Sequence, residues 1–236
     1  MINNSVTNKT NNEEASKQGL SIDSLDFHIV EYPNFFVDNN SKKIKCKSLG
    51  EKFASINSFF LDYLKEYHIP TGFVKLHSKN ALKYIRHVQL PFSVKILNTA
   101  DKRISKLFNL KEGSHLNLPI FEYHIGNSKD SLVSESHLVA FNYCNIDDLK
   151  IMNRICSKVN AVLKSFFERR NEILAEVNCI FGKSDDKLYL IDDFTPRSLK
   201  LLPANGEPNK WVNPYKIKTA SDVKNYTDHL HKLMIA

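Results

Sequence analysis

The sequence predicts an α+β protein built from antiparallel sheets and helices. Two long segments, 51–67 and 147–170, carry apolar residues at helical spacing. Charged and apolar residues alternate over 72–97, as they do in half-buried strands. Two apolar runs, 173–181 and 187–193, flank a polar turn and predict a β-hairpin. We therefore expect an amino-terminal antiparallel sheet with a helix, followed by a larger part of sheet and helix.

The remaining elements follow from shorter patterns. The region 72–97 divides into three strands that suggest an antiparallel meander, at 72–77, 82–88 and 90–97. A strand, a short helix and a second strand are predicted at 25–31, 99–108 and 118–124. The Pro- and Asn-rich stretch 196–214 predicts a loop. Thr219 and Asp222 resemble a capping box that opens a last helix ending at Met234.

Length and composition narrow the class of protein. With 236 residues the chain fits one large domain or two small ones. No apolar run approaches the roughly 20 residues that a membrane helix needs, so a membrane-spanning protein is excluded. The polar first residues, 1–20, predict a disordered tail without a secretory signal. We expect an amino-terminal lobe over 21–85 and a carboxy-terminal lobe over 86–236.

Glycine and cysteine spacing excludes several kinds of site. The seven glycines lie at least 13 residues apart, so neither G-x-G-x-x-G nor G-x-x-x-x-G-K-[ST] is present. Any nucleotide site must then use side chains or another kind of backbone turn. The four cysteines show no C-x-x-C pairing and lie in otherwise apolar patterns. They predict reduced core thiols in a cytoplasmic protein.

Two adjacent carboxylates and a set of cations are the candidate functional groups. Asp192 and Asp193 follow an apolar strand, where they could hold Mg²⁺ or simply be solvated, and spacing alone favours the solvated strand end. Seven cations could bind a phosphate or form a solvated surface: Lys95, Lys102, Arg103, Lys106, Lys111, Arg197 and Lys200. The net charge of +7 also admits nucleic-acid binding, but the basic residues are dispersed and no nucleic-acid motif accompanies them.

Eight short segments share an order and spacing with one known family. Named by their end residues, they are Phe59–Leu64, His68–Thr71, Leu90–Asn98, Lys106–Gly113, Leu118–Glu122, Val133–His137, Phe181–Gly182 and Asp192–Pro196. In combination they resemble SAICAR synthetase, the ATP-dependent ligase of purine biosynthesis. The resemblance covers about residues 25–235 of the chain.

The resemblance implies a fold, a reaction and a set of site residues. SAICAR synthetases have two lobes around a cleft, and they join L-aspartate to carboxyaminoimidazole ribotide with ATP and Mg²⁺. An acyl phosphate forms first, and the amine of aspartate attacks it. The family implies Asp192 for the metal, Asn98, Glu135 and His137 for the substrate, and Lys200 for an anion, while charge alone adds Lys102 and Arg103. Small-molecule nucleotides are the expected partners. The sequence leaves open whether the protein forms a homo-oligomer.

The chain departs from the family pattern at several positions of the site. Ser93 and Leu97 stand where the family has a glutamate and an arginine. Asn178 and Ile180 replace a lysine and a glutamate, and 17–20 lacks the second lysine of a phosphate-covering loop. Replacing a phosphate-binding arginine by leucine removes a contact of roughly 1.5–3 kcal/mol. Two hypotheses follow: an active ligase, or a catalytically degenerate paralogue that binds a nucleotide or a protein.

Overall fold

The computed structural model describes residues 26–38, 42–126, 131–191, 193–204 and 213–235. The helices in these ranges are α1 (Leu49–Glu66), α2 (Lys102–Phe108), α3 (Glu135–Ala140), α4 (Ile146–Glu168) and α5 (Ala220–Ile235), with a 3-10 turn at Pro214–Lys216. The strands are β1 (Phe27–Glu31), β2 (Phe35–Val37), β3 (Lys43–Lys45), β4 (Phe73–Ser78), β5 (Ala81–Ile85), β6 (Val88–Thr99), β7 (His115–Ile125), β8 (Leu132–Val133), β9 (Glu172–Ser184), β10 (Lys187–Leu190) and β11 (Leu199–Pro203). This mixture of helices and antiparallel strands confirms the predicted α+β class.

A three-stranded antiparallel sheet, in the order β1-β5-β4, forms the amino-terminal part. Helix α1 packs on it because apolar residues recur every three or four positions along the helix. Phe53, Ile56, Phe60 and Leu64 of α1 are buried, and the ring of Phe60 contacts Phe166 and Phe167 of α4. Asn57 is also fully buried on α1, and its amide reaches the cleft described below.

A six-stranded antiparallel sheet forms the larger part, in the order β10-β9-β6-β7-β8 with β11 also paired to β9. Strand β6 pairs with β7 and β9 and not with β5, so the predicted meander is wrong for its third strand. The alternation of apolar and polar residues predicts which face of a strand is buried. It does not identify the neighbouring strand, which depends on contacts distant in sequence.

Helix α4 covers one face of this large sheet. The amides of Asn98 on β6 and Asn160 on α4 bond each other reciprocally, with nitrogen–oxygen distances of 2.7 and 3.0 Å. Side chains alternate along a strand, so Val94 shares this face and is fully buried. Ser93 and Lys95 therefore point to the opposite face, and that face carries the candidate site.

Short elements account for most differences from the prediction. Strands β2, β3 and β8 and helix α3 contain two to six residues each, too few for a periodic signal. Strand β11 lies inside the predicted loop 196–214, so that prediction is wrong over Leu199–Pro203. The β9–β10 hairpin is confirmed. The predicted capping box is also confirmed. The Asp222 carboxylate accepts a hydrogen bond from the Thr219 N–H at 2.9 Å, and the Thr219 hydroxyl accepts one from the Asp222 N–H at 3.2 Å.

The predicted division into lobes stays a proposal. The three-stranded sheet ends at β5 and the six-stranded sheet begins at β6, which agrees with a boundary near residue 85. One hydrophobic core nevertheless includes buried residues of both parts. The predicted tail, 1–20, lies outside the described residues.

The cysteine prediction holds for two of the four residues. Cys156 and Cys179 are buried in the core, whereas Cys46 and Cys144 are partly exposed. Among the described helices, none is long and apolar enough to cross a membrane.

Candidate active site

A cleft of about 540 Å³ lies on the face of the large sheet that points away from α4. Alternate residues of β6, β7 and β9 form its floor. The first residues of β6 and the turn between β10 and β11 form its walls. The floor residues are Ser93, Lys95, His124, Glu176, Asn178 and Ile180, and the wall residues include Leu90, Asp193, Thr195 and Arg197.

The register of the sheet places polar residues side by side on this floor. Lys95 of β6 lies opposite Glu122 of β7, and Ser93 lies opposite His124. Because the side-chain period of a strand is two, these four residues share one face. The floor is therefore a consequence of strand pairing rather than of loop structure.

Glu122 is the centre of a buried ion cluster at the edge of the cleft. Its side chain is 5% exposed, and one carboxylate oxygen lies 3.1 Å from Lys95 Nζ and 3.3 Å from His124 Nε2. Arg103, from α2, bonds the other oxygen. Removing a carboxylate from water is costly, and the two cations offset that penalty. The cluster in turn holds Lys95 at the cleft.

The ring of His124 is neutral at physiological pH and its tautomer is determined by its neighbours. Burial lowers the pKa of His124 to about 4, and the charge of Lys95 acts in the same direction. Nε2 faces Glu122, and Nδ1 lies 2.9 Å from Ser131 Oγ. A carboxylate only accepts hydrogen bonds, so Nε2 carries the proton and Nδ1 accepts from the Ser131 hydroxyl.

Lys200, the second lysine of the cleft, is also paired. Its Nζ lies 2.8 Å from Oε1 of Glu176, whose carboxylate is buried. The register of β9 and β11 places Lys200 opposite Glu176, and the ring of Tyr215 lies 4.6 Å from the same Nζ. Both lysines that line the cleft therefore have an internal carboxylate partner.

The turn after β10 is a wall of the cleft and is anchored by α1. Asn57 donates to Asp193 Oδ1 at 3.3 Å and accepts from the Phe194 N–H at 2.6 Å. Within the turn, Ser198 Oγ accepts from the Thr195 N–H at 3.1 Å. Burial raises the pKa of Asp193 to about 6, so its charged form is less favoured than that of an ordinary aspartate.

The structure brings some of the predicted residues to the cleft. Lys200 lines it, and Arg103 reaches it indirectly through Glu122. Lys102 is exposed at the start of α2 and does not line the cleft. Asp192, the predicted metal ligand, lies outside the described residues, so its role stays a prediction.

Three residues predicted for the substrate make internal contacts elsewhere. The amide of Asn98 is hydrogen-bonded to Asn160 of α4, as described above. Glu135 accepts from the Tyr123 hydroxyl at 2.6 Å, and this hydrogen bond lowers the pKa of Glu135. His137 accepts from the Ser134 N–H at 3.1 Å in the capping box of α3. None of the three lines the cleft, and their role in substrate binding stays a prediction.

Sequence reasoning missed Glu122, His124 and Ser131 as site residues. Glu122 and His124 are two apart on one strand, which was the available signal that they share a face. Their partner Lys95 lies on another strand, and Ser131 is brought close only by the β7–β8 pairing. Neither contact is visible in local sequence patterns.

Comparison with known proteins identifies the family. The sequence model of SAICAR synthetase matches residues 36–215, which is most of the chain. The chain belongs to the SAICAR synthetase family. The resemblance drawn from the eight short segments is thereby confirmed.

Relatives and solved structures agree with this membership. The phosphoribosylaminoimidazole-succinocarboxamide synthase of Acidithiobacillus ferrooxidans is 28% identical over 188 residues, which cover 78% of this chain and 77% of the relative. The crystal structure of the synthase from Ehrlichia chaffeensis has a TM-score of 0.78 at 24% identity, covering 91% of this chain and 93% of that chain. The structure of a SAICAR synthetase in complex with ADP has a TM-score of 0.71 at 24% identity, and the match covers 77% of this chain and 79% of that chain. These structures share the fold.

SAICAR synthetase membership implies ATP and Mg²⁺, and the described lining residues include cations that suit the phosphates of a nucleotide. Three cations, Lys95, Arg197 and Lys200, line the cleft and suit an anionic ligand. In the described part of the chain, no group of three or more His, Cys, Asp or Glu side chains is arranged to hold an ion. The lining carboxylates of Glu176 and Asp193 already have partners. Asp192, which the resemblance implies for the metal, lies outside the described residues.

Proposed function

We propose that this SAICAR synthetase-like protein acts in purine biosynthesis as an ATP-dependent ligase that joins L-aspartate to carboxyaminoimidazole ribotide. One observation carries the proposal. Every residue that lines the cleft lies between 89 and 200, inside the segment 36–215 that matches the family. The cleft is thus built from family sequence, and its volume of about 540 Å³ is typical of small-molecule sites.

The proposed reaction requires cations for phosphate groups and fixed positions for the reacting carboxylate and amine. We assign Lys95, Arg197 and Lys200 to the anionic groups of ATP and the ribotide. Lys95 and Lys200 are already held by Glu122 and Glu176, so little side-chain entropy is lost when a ligand binds. Mg²⁺ bound with ATP would neutralise phosphate charge. Small-molecule nucleotides are the proposed partners, and the cytoplasm is the proposed location.

A specific observation favours a second candidate, a degenerate paralogue that binds a nucleotide or a protein without turnover. Lys95 and Lys200 gain less from a phosphate than unpaired lysines would, because Glu122 and Glu176 already neutralise them. Ile180 also places an apolar side chain on the floor where the family pattern has a glutamate.

Two measurements on one sample distinguish the candidates. Mg²⁺–ATP is titrated into the protein by calorimetry, with and without the ribotide, and ADP release is then measured with and without aspartate. Binding followed by aspartate-dependent ADP release supports the ligase. Binding without ADP release supports the degenerate paralogue, and absence of both from a folded sample contradicts a nucleotide function.

Replacing Lys200 by glutamine tests the assignment of the cleft cations. We expect nucleotide affinity to fall roughly 10–100-fold, because a charge-assisted contact of about 1.5–3 kcal/mol is lost. Lys183→Gln is the matched control, since Lys183 pairs with Asp148 at 3.1 Å and does not line the cleft. Lys200→Arg keeps the charge and should retain most of the affinity. Equal losses in the two glutamine variants would contradict the assignment.

A further inference from the structure

Ser131, His124 and Glu122 form a continuous hydrogen-bonded chain beside the cleft. Ser131 Oγ lies 2.9 Å from His124 Nδ1, and His124 Nε2 lies 3.3 Å from Glu122 Oε2. His124 and Ser131 line the cleft, whereas Glu122 is buried at its edge. The ligation proposed above uses Glu122 only to hold Lys95 and gives His124 and Ser131 no role.

The direction of the hydrogen bonds follows from the chemistry of the three groups. Glu122 can only accept, so His124 donates from Nε2 and presents the lone pair of Nδ1 to the Ser131 hydroxyl. A hydroxyl within reach of a base that a third group orients is the arrangement that activates serine nucleophiles.

Regular backbone pairing holds the three side chains in place. Glu122 and His124 lie on β7, which is paired along its length with β6. The carbonyl of Ser131 accepts from the Ile125 N–H at 2.9 Å, and Leu132 pairs with His124 across β7 and β8. A site on paired strands is more rigid than one on a free loop.

The electrostatic surroundings leave His124 able to take a proton. Burial and, to a lesser extent, the charges of Lys95 and Arg103 together lower its pKa to about 4, while Glu176 and Asp101 act in the opposite direction. The imidazole is therefore unprotonated from about pH 5 upward. A base with so low a pKa is weak, so we expect reaction only with electrophiles that carry a good leaving group.

We propose that Ser131 is a nucleophile toward activated acyl or phosphoryl groups bound in the cleft, with His124 as its base and Glu122 as the residue that orients the base. Ser131 Oγ forms a bond to the carbonyl carbon or the phosphorus, and the leaving group departs with its electron pair. The hydroxyl proton passes to Nδ1 of His124. The reaction needs neither ATP nor aspartate, so its test is independent of the ligase assay.

A fluorophosphonate probe tests the proposal on the intact chain. Attack on the probe breaks the P–F bond, releases fluoride and leaves a stable phosphonyl ester that peptide mass spectrometry locates. We expect one label per chain at Ser131, and none at this position in Ser131→Ala. Ser157→Ala removes an exposed serine of α4 and should be labelled as fast as the unmodified protein. Absence of label at Ser131 in a folded sample overturns the proposal.

Two further variants test the role of the base. His124→Phe should slow labelling on the order of 10²-fold, and unchanged labelling in a folded variant rules out His124 as the base. Ser131→Cys gives a second measurement if His124→Phe fails to fold. A thiol is a far stronger acid than a serine hydroxyl, so even a weak base beside it can assist its attack, and iodoacetamide should alkylate it faster than it alkylates Cys46. A thiol that reacts no faster than Cys46 also contradicts the proposal.

Discussion

Among the three carboxylates at the cleft, Asp193 differs from Glu122 and Glu176 in its partner. Glu122 and Glu176 each lie within 3.1 Å of a lysine ammonium, at 3.1 and 2.8 Å. Asp193 accepts a hydrogen bond from the neutral amide of Asn57, and burial dominates its titration. Loss of solvation raises the pKa of Asp193 more than Asn57 and the charge of Arg197 lower it, and stability then depends on pH.

The variant Asp193→Asn should change how stability depends on pH. The pKa of Asp193 rises from 3.8 to about 6 on folding, so its contribution is complete below pH 4 and is lost as pH rises through 6. The asparagine variant mimics the protonated acid. It should be more stable than the unmodified protein at pH 7.5, by up to about 3 kcal/mol, and equally stable near pH 4. Urea unfolding between pH 4 and 8 measures the difference, and a difference that does not vary with pH contradicts the prediction.

The variant Asn98→Ala separates a structural role from a substrate role. Truncation leaves the buried amide of Asn160 without its partner, which should lower the free energy of unfolding by about 1–3 kcal/mol. Nucleotide affinity should be unchanged, because Asn98 does not line the cleft. Asn160→Ala is the matched control and should behave in the same way. Lost affinity at full stability would instead restore the substrate role that the family implies for Asn98.

Helix α1 connects the small sheet to the cleft wall, so the position of its first turn affects the position of that wall. Gly50 lies against the backbone of Tyr32, and a Cβ atom there would be 2.1 Å from the Tyr32 carbonyl oxygen. The Gly50 N–H also donates to Asn34 Oδ1 at 3.0 Å. A carbonyl cannot move aside as a flexible side chain can, so close packing requires glycine at this position.

The variant Gly50→Ala should destabilise the protein although alanine favours helices. The clash at the Tyr32 carbonyl should lower the free energy of unfolding by about 1–3 kcal/mol. Ser58→Ala, on the same helix, is the control and should change stability by less than about 0.5 kcal/mol. Denaturant unfolding measures both, and an unchanged or raised stability in Gly50→Ala contradicts the account of this contact.

Long elements could be predicted from the sequence, and pairing partners could not. Burial of one face imposes a periodic pattern on α1, α4 and the β9–β10 hairpin, and the pattern is visible in a window of the chain. Strand β11 has five residues in a Pro-rich region, so it has no such pattern. The paired residues of β6 and β9 lie 79 to 95 positions apart in the sequence, and no local signal reports their pairing.

At the scale of the whole molecule, the cleft depends on both parts of the fold. The floor comes from the large sheet, while Asn57 on α1 anchors the wall turn at Asp193 and Phe194. The family motif identified Lys200 because it follows that turn. A motif does not state which face of a strand a residue occupies; Asn98 lies on the face toward α4, and its substrate role stays a prediction.

We propose above that this cleft performs the ligation for which the SAICAR synthetase family is named. The most direct test is to incubate the protein with ATP, Mg²⁺, aspartate and carboxyaminoimidazole ribotide and to detect the product by mass spectrometry. We expect a species with the mass of the ribotide plus aspartate less one water, formed only with ATP and in smaller amount by Lys200→Gln. A folded protein that binds ATP but forms none of this product would contradict the claim and favour the degenerate paralogue.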